Sequence, residues 1–567
     1  SARAPRARLQ RLVFRPESLS MVEAELSLTT GLPKKQKQQR IRPSVILLAI
    51  CAALGGLCFG YDIGGAGGTF VMDGFKDHFG WTNSTSDSEI AFDKGMINGL
   101  FGIGAMLGAL TNSIMADKLG RRMCLATSST SFIIGASIQV ASVSMQMMWG
   151  GRFVGGIGIG MLSMCVPVYI AEASPEHTRG QLSTLWQLTT TIGILLASAC
   201  NLGLEQLDWG WRLSYGGNMI FAAILLVSTL ALPESPRWLA SKERYEELRA
   251  VLAQIRFEDE VESEFALLTA EAEEERALGV STWRETFSSA NNMRTRVLLG
   301  VGLQMFQQLC GINAVMFYAP DILKVFFTPR VALLGTFGLN TVNFLATFIT
   351  IYAVDRYGRR RLLLVGGTTM FVALLTLCGL SIAQTSVPSD GSTPLGIAVT
   401  AVAAIFVISF AYSWGPVVWV VCSEMFPIRA RAKATGLTTA SNWIFTTIVG
   451  AVFPIAQMAS LPACFGFFAF VIGVACVVTK LNLPETANLT ILQIDTAFEM
   501  HRKGQDVGDS NIDSMASSAA KPADAGHSSV RASSSAATMP SARFDRRTGE
   551  YHYAVGTPST KLEGDRV

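Results

Sequence analysis

Residues 151–187 read GRFVGGIGIGMLSMCVPVYIAEASPEHTRGQLSTLWQ. A cation, Arg152, stands at one end of a glycine-laden apolar run that Glu172 closes about six helical turns later. A polar turn from Ser174 to Gly180 follows, and then a second apolar run carrying Gln187. This is the pattern of two membrane helices beside a polar pathway, because an Arg that deep in an apolar segment is costly unless it meets a partner or water. The alternative for Arg152 is that it snorkels to the headgroups. Gly151, Gly155, Gly156 and Gly160 give overlapping small-xxx-small spacing, which lets neighbouring helices approach backbone to backbone.

The rest of the chain has the same character. Of 567 residues, 50% are hydrophobic and only 16% charged, with a mean hydropathy of +0.36. A soluble chain of this length would carry more charge, so the composition points to the bilayer. A net charge of +3 says little by itself. The ten Cys sit singly in apolar runs, without CxxC or Cys/His spacing, and read as small packing residues. No phosphate loop, metal cluster or nucleophile with a nearby base is present, so no enzyme, no metal, no cofactor and no nucleic-acid partner is expected.

Twelve apolar segments are long enough to cross a hydrocarbon core, which needs about 20 helical residues. They lie near 44–64, 93–115, 122–144, 148–172, 182–203, 211–232, 296–320, 331–354, 361–384, 396–423, 433–457 and 462–482. Lys34, Lys35, Lys37, Arg40 and Arg42 precede the first segment, and basic clusters recur after every second one, so both termini are expected in the cytosol. Residues 1–43 form a polar, basic tail without an apolar h-region, so no cleavable signal peptide is expected. Because Ser1 opens the chain and Met21 follows, residues 1–20 are set aside as a possible extension. The outward loop 65–92 carries the sequon Asn83-Ser84-Thr85, placed for glycosylation. Within the linker 233–295, residues 240–290 mix Glu, Arg, Leu and Ala at helical spacing and predict amphipathic cytosolic helices. The tail 483–567 becomes Ser/Ala-rich after about residue 500, and there it has too few large apolar residues to fold.

An internal repeat fixes the architecture. DKLGRR at 117–122 recurs as DRYGRR at 355–360. EASPEHTRGQL from Glu172 recurs in degraded form as SEMFPIRARAKATGL around Glu424, and LPESPRWL from Leu232 as LPETANL from Leu483. The offsets (117 to 355, 172 to 424, 232 to 483) are 238, 252 and 251 residues. The sequence therefore predicts an all-α membrane protein of twelve transmembrane helices, in two parallel six-helix pseudo-repeats, 44–232 and 296–482, around a midplane cavity. The carboxylates Asp117, Glu172, Glu234, Asp355 and Glu424 and the guanidinium groups of Arg121, Arg122, Arg179, Arg237, Arg359, Arg360 and Arg429 cluster at cytosolic helix ends. Bidentate pairs among them would form a latch that closes the cytosolic side in one state and opens in the other. The alternative is that they only anchor helix ends at the interface.

Gly-Arg in the fourth segment followed by PVYIAEASPEHTRG, the paired D-x-x-G-R-R motifs, PESPRWL, QQLCGINAVMFYAP and GPVVWVVCSEMFP together resemble the sugar porter family of the major facilitator superfamily, over about residues 44–490. The opening helix, GGLCFGYDIGGAGG, is most similar to proton-coupled monosaccharide symporters. Two departures stand out. The family's usual PETKG after the twelfth segment is PETANL here, which puts the second-half latch in question. The first outward loop has no Cys, so a lid disulfide to Cys464, found in some plant relatives, is not available from that loop.

A hexose presents hydroxyls in every direction, so its site needs amides and indoles converging from several helices. By motif, the resemblance implies substrate contacts from Gln187, Gln307, Gln308, Asn313, Asn343, Trp419, Asn442 and Trp443; any one alone could instead be helix–helix glue. Asp62 lies about 27 Å along the first, outward-running helix and Arg152 about 30 Å from the cytosolic end of the fourth, at similar depth. A carboxylate and a guanidinium can pair there, and protonation of the carboxylate would release the pair. The resemblance implies that these two residues couple a proton to transport. The expectation is a monomeric plasma-membrane symporter for a monosaccharide such as glucose. An uncoupled hexose facilitator, a polyol or inositol transporter, and a transporter-like sugar sensor are the alternatives.

Overall fold

The structure is a computed structural model and describes residues 42–81, 85–175, 179–279, 282–288, 292–385, 393–487, 489, 491–502, 542–544 and 551–553. Pro43, whose fixed φ suits a first helical turn, starts α1 (Pro43–Thr69). A short helix, α2 (Asp73–Phe79), follows and ends at Gly80 in the left-handed conformation. Ser86 and Glu89 form a reciprocal capping box at the start of α3 (Asp87–Leu119). The first half continues through α4 (Arg121–Val140), α5 (Met145–Ala173), α6 (Arg179–Leu204) and α7 (Gly210–Ala231).

Four cytosol-type helices succeed them, α8 (Pro236–Ser241), α9 (Tyr245–Ile255), α10 (Glu258–Leu278) and α11 (Trp283–Thr286). The first three dock on the first half: Leu239, Leu248 and Leu252 bury into its core, and Arg42 donates to the carbonyls of Ala253 and Gln254. Trp283 of α11 instead receives Lys433 over its ring, in the second half.

In the second half the seventh span is broken. α12 (Met293–Leu309) and α13 (Ile312–Lys324) are separated by Gly311 at φ +87, where a Cβ would also strike the Phe468 ring. After α14 (Pro329–Tyr357) and α15 (Arg359–Thr385), the tenth span is broken too, at Ser413 between α16 (Thr393–Tyr412) and α17 (Trp414–Glu424). α18 (Ile428–Asn482) leaves the helical region at Ser460 and meets Pro462 two residues later. Among the described residues 11 helical stretches are long and apolar enough to cross a membrane. The bend in α18 divides the last of them into the eleventh and twelfth spans expected from the sequence.

Among the described residues the halves meet most extensively between α1 and α13, α6 and α14, and α3 and α18. α19 (Ile491–Arg502) packs Ile494 and Phe498 into the second half, and Arg296 lies 4.6 Å above the Phe498 ring. The linker 483–490 is thus followed by structure that the tail's composition did not reveal. Beyond Arg502 the only described residues form a small antiparallel ladder of β1 (Ala542–Phe544) and β2 (Tyr551–Tyr553). Asn83 lies outside the described residues.

Candidate functional site

Close helix packing places the buried ion pair. A Cβ at Gly156 would come 2.2 Å from the Phe101 carbonyl oxygen and one at Gly160 1.9 Å from that of Ala105, so only glycine lets α5 lie this near α3. Gly151 does the same toward α4, where a Cβ would come 2.9 Å from the Gln139 backbone nitrogen. Held between these helices, Arg152 is 0% exposed and Asp62 of α1 is 6% exposed. Arg152 Nη1 donates to both carboxylate oxygens of Asp62, at 2.9 and 2.8 Å, and Nε donates to the Ile97 carbonyl at 3.3 Å. The guanidinium also sits 4.2 Å above the Phe101 ring. Arg152 therefore does not snorkel; it is a desolvated cation with a carboxylate, a carbonyl and an aromatic face around it. A pair so buried is held only while both members are present, since loss of either leaves a bare charge costing about 3–5 kcal/mol.

A second polar cluster is built from amides. Gln307 Nε2 donates to the carbonyls of Trp414 and Gly415, both at 2.8 Å, which ties α12 to the first turn of α17. Its Oε1 accepts from Gln308 Nε2 at 3.1 Å and from Asn442 Nδ2 at 2.7 Å. Gln308 Oε1 in turn accepts from Asn313 Nδ2. Asn442 Nδ2 also donates to Gln304 Oε1 at 2.6 Å, while Gln304 Nε2 is buried with no protein acceptor among the described residues. The structure thus brings together Gln307, Gln308, Asn313 and Asn442, and adds Gln304. Its signal was the i, i+3, i+4 spacing in LQMFQQL, which puts three Gln on one helix face.

Aromatic walls flank this cluster. Phe59 of α1 stacks on Trp186 at 5.8 Å and meets Trp443 edge-on at the same separation. Trp443 is buried, and its Nε1 has no protein acceptor among the described residues. Gln187, next to Trp186, and Trp419 are half-buried, and Asn343 is buried. None of these three side chains joins the amide cluster directly. Sequence reasoning passed over Phe59 and Trp186 because aromatics in a membrane helix give no polar signal.

Residues 48–498 match the family described as Sugar (and other) transporter. The chain belongs to the sugar porter family of the major facilitator superfamily. It is 33% identical to "Sugar transport protein 1" of Arabidopsis thaliana over 83% of this chain and 93% of that one. It is also 33% identical to "H(+)/hexose cotransporter 2" of Parachlorella kessleri, over 81% and 87%. Its fold matches that of the E. coli proton:xylose symporter XylE bound to 6-bromo-6-deoxy-D-glucose, with a TM-score of 0.68, 26% identity, and coverage of 80% and 99%. The sugar porter is an integral membrane protein with the twelve-helix fold of its superfamily.

In this sugar porter the charged motifs at the linker end form matching networks in the two halves. Arg121 Nε and Nη2 grip Glu172 at 2.9 Å each, and Ser235 donates to the same carboxylate. Glu234 accepts from the backbone N–H of Arg121 at 2.8 Å and of Arg122 at 3.2 Å, capping α4 where the helix dipole favours an anion. In the second half Arg359 Nη2 donates to Glu424 at 3.0 Å and Thr486 donates to the other Glu424 oxygen. Glu485 caps α15 through the N–H groups of Arg359 and Arg360, at 2.7 and 3.1 Å. Gly120 and Gly358, at φ +91 and +86, leave room for the two capping carboxylates, which a Cβ would meet at 2.2 and 2.5 Å.

Each of these pairs joins elements of one half. They brace the halves as units and do not clamp one half to the other, because the repeat places both partners in the same copy. Arg122 and Arg360 complete the bracing by donating to carbonyls at the ends of α7 and α18. Asp117 is exposed at 3.7 Å from Arg121, and Arg237 pairs with Glu271 of the linker at 3.3 Å. The side chains of Arg179, Asp355 and Arg429 lie outside the described residues. PETANL keeps the bracing: Glu485 stands where Glu234 stands in the first copy.

Proposed function

We propose that this sugar porter imports a monosaccharide, a hexose such as glucose, together with a proton by alternating access. The observation that carries the coupling is the Asp62–Arg152 pair, a carboxylate whose one ion-pair partner among the described residues is a desolvated cation. Protonating Asp62 cancels the attraction and frees Arg152, so the local geometry depends on proton occupancy. The amide cluster of Gln304, Gln307, Gln308, Asn313 and Asn442, with Gln187, Asn343, Trp419 and Trp443, supplies the donors, acceptors and ring faces that a sugar needs. The curated relatives named for sugar and hexose transport, and the fold neighbour named as a proton:xylose symporter, support the same reading.

In this reading the units 44–232 and 296–482 rock against each other, joined by the linker 233–295, in a monomer at the plasma membrane. Both tails, 1–43 and 483–567, are cytosolic, and Asn83 is exposed on the outer side as a glycosylation acceptor. Uptake of labelled hexoses into a transport-null cell, with and without a protonophore, tests it. Accumulation above the external concentration that collapses with the protonophore is expected. Equilibration alone, indifferent to the protonophore, would make the protein a facilitator.

A further inference from the structure

Phe101 lies between the ion pair and the amide cluster. One face of its ring holds the Arg152 guanidinium at 4.2 Å. The same ring meets Trp443 at 6.4 Å with the planes inclined at 73°. Trp443 is carried by α18 of the second half but packs into the core of the first. Its chain neighbour Asn442 donates to Gln304 and Gln307. Phe101 is itself 2% exposed, and its backbone is pinned against Gly156 of α5, four residues beyond Arg152.

We propose that Phe101 is a positioning residue for proton coupling, holding the Arg152 guanidinium when Asp62 carries a proton and linking that state to Trp443 and the amide cluster. This rests on the proton-coupled reading above. While Asp62 is ionised, the carboxylate neutralises Arg152. Once a proton binds, the carboxylate becomes a neutral acid, and the cation retains the Ile97 carbonyl and the Phe101 face. While Asp62 is ionised its charge draws the guanidinium away from the ring; once the carboxylate is neutral the cation settles onto the Phe101 face, so the ring attraction is stronger in the protonated state. Phe101 therefore makes the protonated state less costly.

The other titratable groups near the pair do not take over this role. Cys58 of α1, Tyr215 of α7 and Tyr318 of α13 interact with it electrostatically. None is a carboxylate. Tyr215 accepts from Thr69 at 3.2 Å, and Tyr318 donates to the Gly450 carbonyl at 2.7 Å. Asp321, which acts on Tyr318, is paired with Lys94.

The test is the initial rate of labelled-glucose uptake against external pH for wild type, Phe101→Leu, Phe101→Met and Phe101→Tyr, each normalised to protein at the membrane. The two aliphatic variants keep the apolar contact and lose the ring, and either suffices should the other not reach the membrane. Their uptake midpoint should move acid by about one pH unit, a tenfold effect within what a cation–π contact supplies, while Phe101→Tyr stays near wild type. A pH-dependent wild type whose aliphatic variants keep its midpoint overturns the role of Phe101 and leaves coupling intact. A wild type insensitive to pH overturns the coupling reading and this inference with it.

Discussion

Lys94 Nζ of α3 lies 2.6 Å from Asp321 Oδ2 of α13, an ion pair that crosses from one half to the other. Both side chains are largely buried, and the ammonium also stands 5.6 Å from the Phe70 ring and 5.8 Å from the Trp81 ring. One turn along α3, Asn98 donates to Tyr318, also across the halves, at 2.7 Å. These contacts lie at the end of the bundle opposite the linker helices. That end is where the two halves are tied in this conformation, whereas the charges at the linker end are spent within each half.

Breaking this tie should open the end it closes. Lys94→Ala leaves Asp321 partly buried and unpaired, a cost of about 1–2 kcal/mol that shifts the population between conformations by roughly 5–30-fold. Met316→Cys, beside Gly64 and Ser198 at the interface between the halves, reports on it. An impermeant thiol reagent added outside should label that Cys several-fold faster in the Lys94→Ala background. The double exchange Lys94→Asp with Asp321→Lys should restore slow labelling. Equal labelling rates in all three backgrounds would make the pair incidental to closure.

The amides divide into two kinds, and their substitution should separate transport from stability. Gln187 makes no side-chain hydrogen bond among the described residues, so Gln187→Ala is expected to raise the sugar KM and leave the melting temperature of purified protein in place. Gln307 ties α12 to the Trp414 and Gly415 carbonyls of α17 and to Asn442 of α18, so Gln307→Ala should lower both uptake and melting temperature. Each lost hydrogen bond to a buried partner costs about 1–3 kcal/mol, or roughly 5–150-fold in affinity where the partner is sugar. Asn313→Ala should behave like Gln187→Ala in transport. Normal uptake by both Gln187→Ala and Asn313→Ala would remove them from the site.

The repeated braces predict matched losses. Glu485→Ala and Glu234→Ala each uncap a helix at its first N–H groups, and each should destabilise the protein by about 1–2 kcal/mol. Gly358→Ala places a Cβ against Glu485 and a side chain at positive φ, so it should be more damaging than Glu485→Ala. Thermal unfolding in detergent measures all three. A Glu485→Ala variant as stable as wild type would mean that the second brace is decorative, as the altered PETANL motif had suggested.

Much of this architecture was legible beforehand because the bilayer imposes a length and a hydropathy on every span. The breaks at Gly311 and Ser413 do not show in hydropathy; their marks are local, Gly311 at φ +87 and Pro416, which has no N–H for the Tyr412 carbonyl. Asp62 and Arg152 were paired from depth alone, which works for charges because so few positions in an apolar helix can bear them. Phe59, Phe101 and Trp186 were invisible for the opposite reason: an aromatic residue looks the same whether it fills a core or faces a cation. The partners of the charged motifs were not legible, because sequence reveals which charges recur but not which copy their partners belong to.

Proton coupling through Asp62 is tested most directly by sugar-evoked proton movement. Cells expressing wild type or Asp62→Asn are given glucose at two external pH values while current and intracellular pH are recorded. The amide introduced by Asp62→Asn mimics the neutral acid and cannot re-form the charged pair with Arg152. Wild type should show an inward current and intracellular acidification, larger at the lower external pH because more of Asp62 is then protonated. Asp62→Asn should show neither, while still exchanging sugar down its gradient. Glucose uptake by wild type without any current or acidification at either pH would contradict the account and leave Asp62 and Arg152 as a structural pair.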